Sequence, residues 1–225
     1  LIVGPTIAAK APYNAETDLA PVSMVGRSHM VLVVSAEKGA KTLDELLAKL
    51  KSEQMTFAST GAGTIGHLSS EILLLNTKIK AGHVAYRGSG QSLTDVMRGE
   101  VSFAIDSAIA VLPFLQNGTL RPLAVTGTGR LKSLPDVGTF AEQGVPGLEI
   151  YAWWGVLAPA ATPAPVLKKI GDEIESALAS PDMLSRMKAM EVEPVKTRGE
   201  AMRALLAKET AFWQDFVKRS GFTMN

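Results

Sequence analysis

Two stretches of this sequence put small and hydroxyl-bearing residues where a strand should hand over to a helix. The first is Ser59-Thr60-Gly61-Ala62-Gly63-Thr64. It follows an apolar run at 55–59 and precedes a helical pattern with Ile65, Leu68, Ile72 and Leu75 on one face. A helix N-terminus exposes unpaired N–H groups and about half a unit of positive charge. Residues without bulky side chains let an anion reach those amides. Ser59, Thr60 and Thr64 add hydroxyl donors, so the stretch could hold a carboxylate or a phosphate. The same residues would also make an ordinary turn in which the glycines only permit the backbone angles.

The second stretch is Tyr86-Arg87-Gly88-Ser89-Gly90-Gln91-Ser92, again between a strand and a helix. Ligands of open α/β sheets bind at the carboxyl ends of the strands, so both loops should meet at one edge. Arg87 there is either a ligand contact or a solvated surface charge. Asp106 ends a third strand at the same edge. It could accept hydrogen bonds from a ligand, or it could N-cap the helix that follows.

A competing reading rests on Gly61-x-Gly63-x-x-Gly66, which spells the dinucleotide fingerprint in its required place between strand and helix. That fingerprint expects an acidic residue about 20 residues on, to hold a ribose. Tyr86-Arg87 stands there instead, and Arg87 would have to select a 2′-phosphate. The alternative function is therefore an NADP-dependent oxidoreductase domain, although only two more strands follow before the chain becomes turn-rich.

Other chemistry finds little support. There is no cysteine, hence no disulfide, thiolate nucleophile or thiolate metal site. His29, His67 and His83 have no zinc-type spacing. No nucleophile elbow, Walker loop or paired carboxylates occur. No catalytic residue, cofactor or metal is expected, and the chain does not read as an enzyme. With 23 basic and 22 acidic residues the net charge is +1, which offers no field for nucleic acid. No apolar run is long enough to cross a bilayer.

The positioning elements follow from periodicity. Residues 21–25 and 30–34 read as strands separated by a Gly26-Arg27-Ser28 turn. Thr42-x-x-Glu45 is a capping box ahead of Leu43, Leu46, Leu47 and Leu50. Strands and helices then alternate to residue 126, which predicts a mostly parallel sheet covered on both faces. A turn-rich stretch leads to an extended segment at 148–157. Three helices should follow: one with Val166, Ile170 and Ile174 as its stripe, one opened by Ser180-Pro181, and one behind a second capping box, Thr197-x-x-Glu200. Boundaries near Val34 and Tyr151 would divide the chain into one α/β lobe, 35–150, and a discontinuous lobe of 1–34 and 151–225.

Several blocks together resemble a known family. They are Ser-Thr-Gly-Ala-Gly-Thr-x-x-His-Leu (59–68), Val-Ala-Tyr-Arg-Gly-Ser-Gly-Gln-Ser-Leu-Thr-Asp (84–95), Gly-Glu-Val-Ser-Phe-Ala-Ile-Asp (99–106), Leu-Pro-Asp-Val-Gly-Thr-Phe-Ala-Glu-Gln-Gly (134–144) and Ala-Trp-Trp-Gly-Val-Leu-Ala-Pro (152–159). In this order they are similar to the Bug receptors, the substrate-binding proteins of tripartite tricarboxylate transporters. The resemblance implies a two-lobed, flytrap-like α/β periplasmic solute-binding fold of type II, each lobe a mostly parallel sheet flanked by helices. It implies a small organic carboxylate as ligand, membrane transporter subunits as partners, a periplasmic location and a monomer. Carried over by position, the ligand residues would be Ser59, Thr60, Gly61, Ala62, Gly63, Thr64, Tyr86, Arg87, Gly88, Ser89 and Asp106, with Thr6 from a further loop at Gly4-Pro5-Thr6. Family members begin with a strand and a Pro/Gly-rich loop that find no counterpart here. The first lobe is thus expected to be incomplete, with a signal peptide outside this chain.

Overall fold

The computed structural model describes residues 13–222. The expected loop at Gly4-Pro5-Thr6, and with it Thr6, lies outside them. The chain forms two compact units. One is Ser28–Ala152; the other joins the chain up to Arg27 with Trp153 onward.

The Ser28–Ala152 unit is built on β2 (Met30–Ser35), β3 (Thr56–Ser59), β4 (Gly82–Ala85), β5 (Phe103–Ser107) and β6 (Leu120–Val125), in the order β4-β3-β5-β2-β6. Four helices accompany the strands: α1 (Leu43–Ser52), α2 (Ile65–Thr77), α3 (Ser89–Arg98) and α4 (Ala108–Gln116). β3 pairs parallel with β4 and β5, as the strand–helix alternation implies. β2 runs antiparallel to both its neighbours, β5 and β6. The sheet is therefore mixed rather than uniformly parallel. β2 also belongs to this unit, not to the lobe of the chain ends where a boundary at Val34 would put it. The reason is its composition: Val31, Leu32, Val33 and Val34 are all 0% exposed. A run apolar on both faces needs strands on both sides and helices above and below. One face packs Val31, Val33, Ala58 and Ala104 against Leu93 and Val96 of α3 and Val111 of α4. Phe57 and Phe103 stack at 5.6 Å.

The second unit has a three-stranded sheet, β7-β1-β8, of β1 (Leu19–Ser28), β7 (Ala152–Pro159) and β8 (Glu193–Pro194). β1 is one ten-residue strand, and Gly26-Arg27-Ser28 is not a turn. Gly26 pairs antiparallel with Pro194, and a Cβ there would press into Val192 and the Glu193 carbonyl. The glycine thus serves close approach of two strands. This antiparallel pair also departs from the parallel expectation. α5 (Ala164–Leu178), α6 (Pro181–Ala189) and α7 (Gly199–Ser220) complete the unit. α7 buries Met202, Leu206, Trp213 and Phe216. The apolar stripe of α5 is covered only toward its end: Leu178 is buried, while Val166 and Ile170 are 46% and 37% exposed.

Capping is partly as expected. Thr42 Oγ1 accepts the Glu45 amide at 3.1 Å, while Glu45 accepts the Lys41 amide at 2.8 Å. Thr42→Ala should cost about 1 kcal/mol, read as a shift of the urea midpoint at unchanged slope. Ser180 caps α6 through the Met183 amide. Thr197 does not cap α7; Arg198 holds that place, its guanidinium forked onto Asp172 and Glu175 at 2.9 and 2.8 Å.

Candidate functional site

Because β3, β4 and β5 run the same way, their C-terminal ends share one edge of the five-stranded sheet. The antiparallel β2 brings its start to that edge, and β6 its end, with Val31 opposite both Asp106 and Val125. The two expected loops and Asp106 therefore gather there. Thr126 and His29, which sequence reading left aside, join them: Thr126 Oγ1 accepts the Met30 amide at 2.9 Å, and His29 Nδ1 meets the Thr126 carbonyl at 2.6 Å.

Three helices start at this edge, and none has a side-chain cap. Thr64, the N-cap of α2, turns its hydroxyl back to donate to the Gly61 carbonyl at 2.8 Å. Gly88, the N-cap of α3, has no side chain to offer. Ser107, not Asp106, is the N-cap of α4, and it makes no capping bond. By contrast α1, which starts at the end of the reversed strand β2, is capped by Thr42. Three helix ends on one side of the sheet thus lack a capping bond from their own N-cap residue, and their partial positive charge faces one edge.

The first loop is tightly wired from within. Gly61 and Gly63 have φ of +134° and +72°, which only glycine adopts without strain. The Gly61 amide donates to Ser59 Oγ at 3.1 Å, and the Gly63 amide to His67 Nδ1 at 3.0 Å. Ser59 is buried, and its Oγ also lies 2.7 Å from His83 Nε2. Ser59, Gly61 and Gly63 are thereby engaged in holding the loop. Ala62 is its exposed member, and Thr60 is half-buried. Gly66 serves packing: a Cβ there would overlap the carbonyl oxygen of Ile105 on β5.

His67 and His83 stack face to face, with centroids 3.7 Å apart and planes 13° from parallel. Burial first, and His67 second, push the His83 imidazole down from 6.5 to about 4. Its folded value lies below the unfolded one, so the unfolded chain binds the extra proton. This contribution to stability is complete above about pH 6.5 and is lost as pH falls toward 4. The partly exposed ring should make the loss about 1–2 kcal/mol. His83→Gln should flatten the urea-midpoint profile across that window.

The second loop is joined to the first by the Tyr86 amide, which donates to the Ser59 carbonyl at 2.9 Å. The Tyr86 phenol donates to Asp95 at 2.8 Å, and burial with that bond pushes it up to about 12. It braces α3. Arg87 is exposed and, among the described residues, makes no ion pair. Asp106 is 9% exposed. Burial raises its carboxyl above the usual range, opposed by the Ser89 side chain and by the Ser107 amide at 2.7 Å. Ser89 and Asp106 are therefore neighbours. Among the described residues, no three His, Asp or Glu side chains gather where they could hold a metal.

Residues 1–222 match the family described as tripartite tricarboxylate transporter family receptor. The chain belongs to that family. It is similar to a UPF0065 protein of the tcbD-tcbE intergenic region of Pseudomonas sp. strain P51, at 33% identity over 96% of this chain and 66% of the relative. The chain thus spans about two thirds of that relative's length. Among solved structures, R. palustris Rpa4515 with adipate superposes with a TM-score of 0.90 at 28% identity, covering 98% of this chain and 75% of that one. The periplasmic binding protein BugD superposes with a TM-score of 0.92 at 24% identity, covering 100% and 76%. The α/β fold with mixed sheets flanked by helices is that of these binding proteins. Their family is one of receptors, and the dinucleotide reading has no support in it. The fingerprint glycines are explained by the loop and by the contact of Gly66 with β5.

Proposed function

We propose that this chain captures a small organic carboxylate at the sheet edge formed by 59–64, 86–89 and 106, as the receptor of a tripartite transporter. The observation that carries this is the set of three uncapped helix N-termini on one side of one sheet, in a chain whose fourth helix of the same unit is capped. Amides and dipoles of this kind favour an anion without any formal charge. Asp106, the single buried acid among the described residues, suits the reading: its raised carboxyl and the Ser89 side chain can meet a ligand hydroxyl or a second carboxyl group. The adipate in Rpa4515 supports a dicarboxylate as ligand. The chain binds and releases; it does no chemistry. Its location is the periplasm, it acts as a monomer, and its partners are the membrane subunits of the transporter.

A thermal-shift screen of short mono- and dicarboxylates tests this. Ligand at a hundred times Kd should stabilise the protein by about 2.7 kcal/mol. For a chain of this size that is a rise of roughly 5–10 °C. No rise with any carboxylate, together with a rise on adding NADPH, would restore the oxidoreductase reading.

A further inference from the structure

Beneath the first loop lies a feature that ligand binding by amides does not by itself require. His67 comes from α2 and His83 from β4, yet their rings are stacked at 3.7 Å. Phe57 of β3 extends the stack, 5.0 Å from His83 and 5.8 Å from His67. Each imidazole reaches one glycine of the loop. His67 does so directly, through Nδ1 and the Gly63 amide. His83 does so through Ser59, whose Oγ both accepts the Gly61 amide and can donate to the Gly61 carbonyl at 3.0 Å. From this geometry we infer that His67 and His83 are paired positioning residues, which hold the 61–63 loop in the conformation that receives the ligand. The inference rests on the reading of this loop as part of the carboxylate site.

The hydrogen bonds dictate the proton arrangement. The Gly63 N–H donates, so His67 Nδ1 must carry a lone pair. Its proton then sits on Nε2, which faces Glu71 at 3.5 Å. Two cationic rings at this separation would repel strongly, so the stack requires at least one uncharged imidazole. Glu71 from α2 and His83 from β4 are titratable groups that face His67. Neither ring needs to touch the ligand. They fix two positive-φ residues whose freedom would otherwise have to be lost at the moment of binding.

Conservative replacements separate positioning from filling space. Asn at 67 places Oδ1 where Nδ1 stood and can accept the same amide; Leu fills the space and cannot. Exchange of the Gly63 amide, followed by NMR in the ligand-free whole protein, should be about tenfold faster in His67→Leu, the ratio expected for loss of one such hydrogen bond. In His67→Asn it should stay within about threefold of the parent. His83→Leu should speed the Gly61 amide, and His83→Gln should restore it. The imidazole ¹⁵N spectrum should show His67 protonated on Nε2 alone. Adipate affinity, measured in parallel by calorimetry, should fall about tenfold in His67→Leu and recover in His67→Asn. Equal exchange in the parent and His67→Leu, or equal acceleration in Leu and Asn, overturns the positioning role. If the parent binds no dicarboxylate while the exchange pattern holds, the anchoring stands and the proposed function falls.

Discussion

Gly61→Asp is expected to weaken adipate binding by at least a hundredfold and to leave the protein folded. The substitution sets a carboxylate in the loop at the uncapped start of α2, where it competes for the amides the ligand would use and repels the ligand's own charge. Space is not the obstacle, since the nearest atom to a Cβ there is Thr64 Cγ2 at 3.7 Å. The φ of +134° does carry a cost for any side chain, about 1–3 kcal/mol. At roughly 2–4 °C per kcal/mol the melting temperature should drop by several degrees. Gly61→Ala bears the same backbone cost without the charge. Calorimetric affinities for the pair therefore isolate the electrostatic part, and Asp should be the weaker binder by tenfold or more. Parent-like affinity in Gly61→Asp would remove this loop from the site.

Gly66→Ala should destabilise the chain by roughly 3 kcal/mol, the upper end of the overpacking range, because the element it meets cannot yield. Helix propensity argues the other way, since alanine is favoured over glycine by about 1 kcal/mol inside a helix. Geometry wins because the added Cβ would meet a backbone oxygen, that of Ile105, rather than the tip of a mobile side chain. β5 lies between β3 and β2 and has nowhere to go. α2 must lift from the sheet, loosening the seats of Leu68, Ile72 and Leu73, all buried. Urea unfolding reads the change directly. A gain of stability would mean that α2 slides over β5 without cost.

What could be read in advance followed from local signals. Thr42 and Ser180 announce their helices because an N-cap is a short-range bond between a hydroxyl and an amide three residues on. The alternation of strands with helices through 55–126 located the edge at which Ser59, Tyr86 and Asp106 meet. Strand direction was not legible: Met30–Val34 is apolar throughout, and an unbroken apolar run looks the same pointed either way. Gly26-Arg27-Ser28 resembled a turn because glycine answers both to bends and to crowded strand pairs. The Thr197-x-x-Glu200 spelling failed since Arg198, tied to Asp172 and Glu175, starts α7 one residue later. Within the site, Ser59 and Tyr86 are expected as ligand residues, yet the Ser59 hydroxyl meets His83 and the Tyr86 phenol is held by Asp95, contacts that no local spacing announces. The stacking of His67 on His83 depended on β4 lying beside β3, which no spacing in the chain reveals.

The placement of β2 bears on how the molecule is made. This strand leaves the ribosome before both of its partners, residues 103–107 and 120–125. Throughout that interval Met-Val-Leu-Val-Val is a bare adhesive ribbon, without charge or proline to blunt it. A helper that shields nascent chains would find its natural target there, and slowing translation before residue 120 should lengthen the exposure and raise the yield of insoluble product.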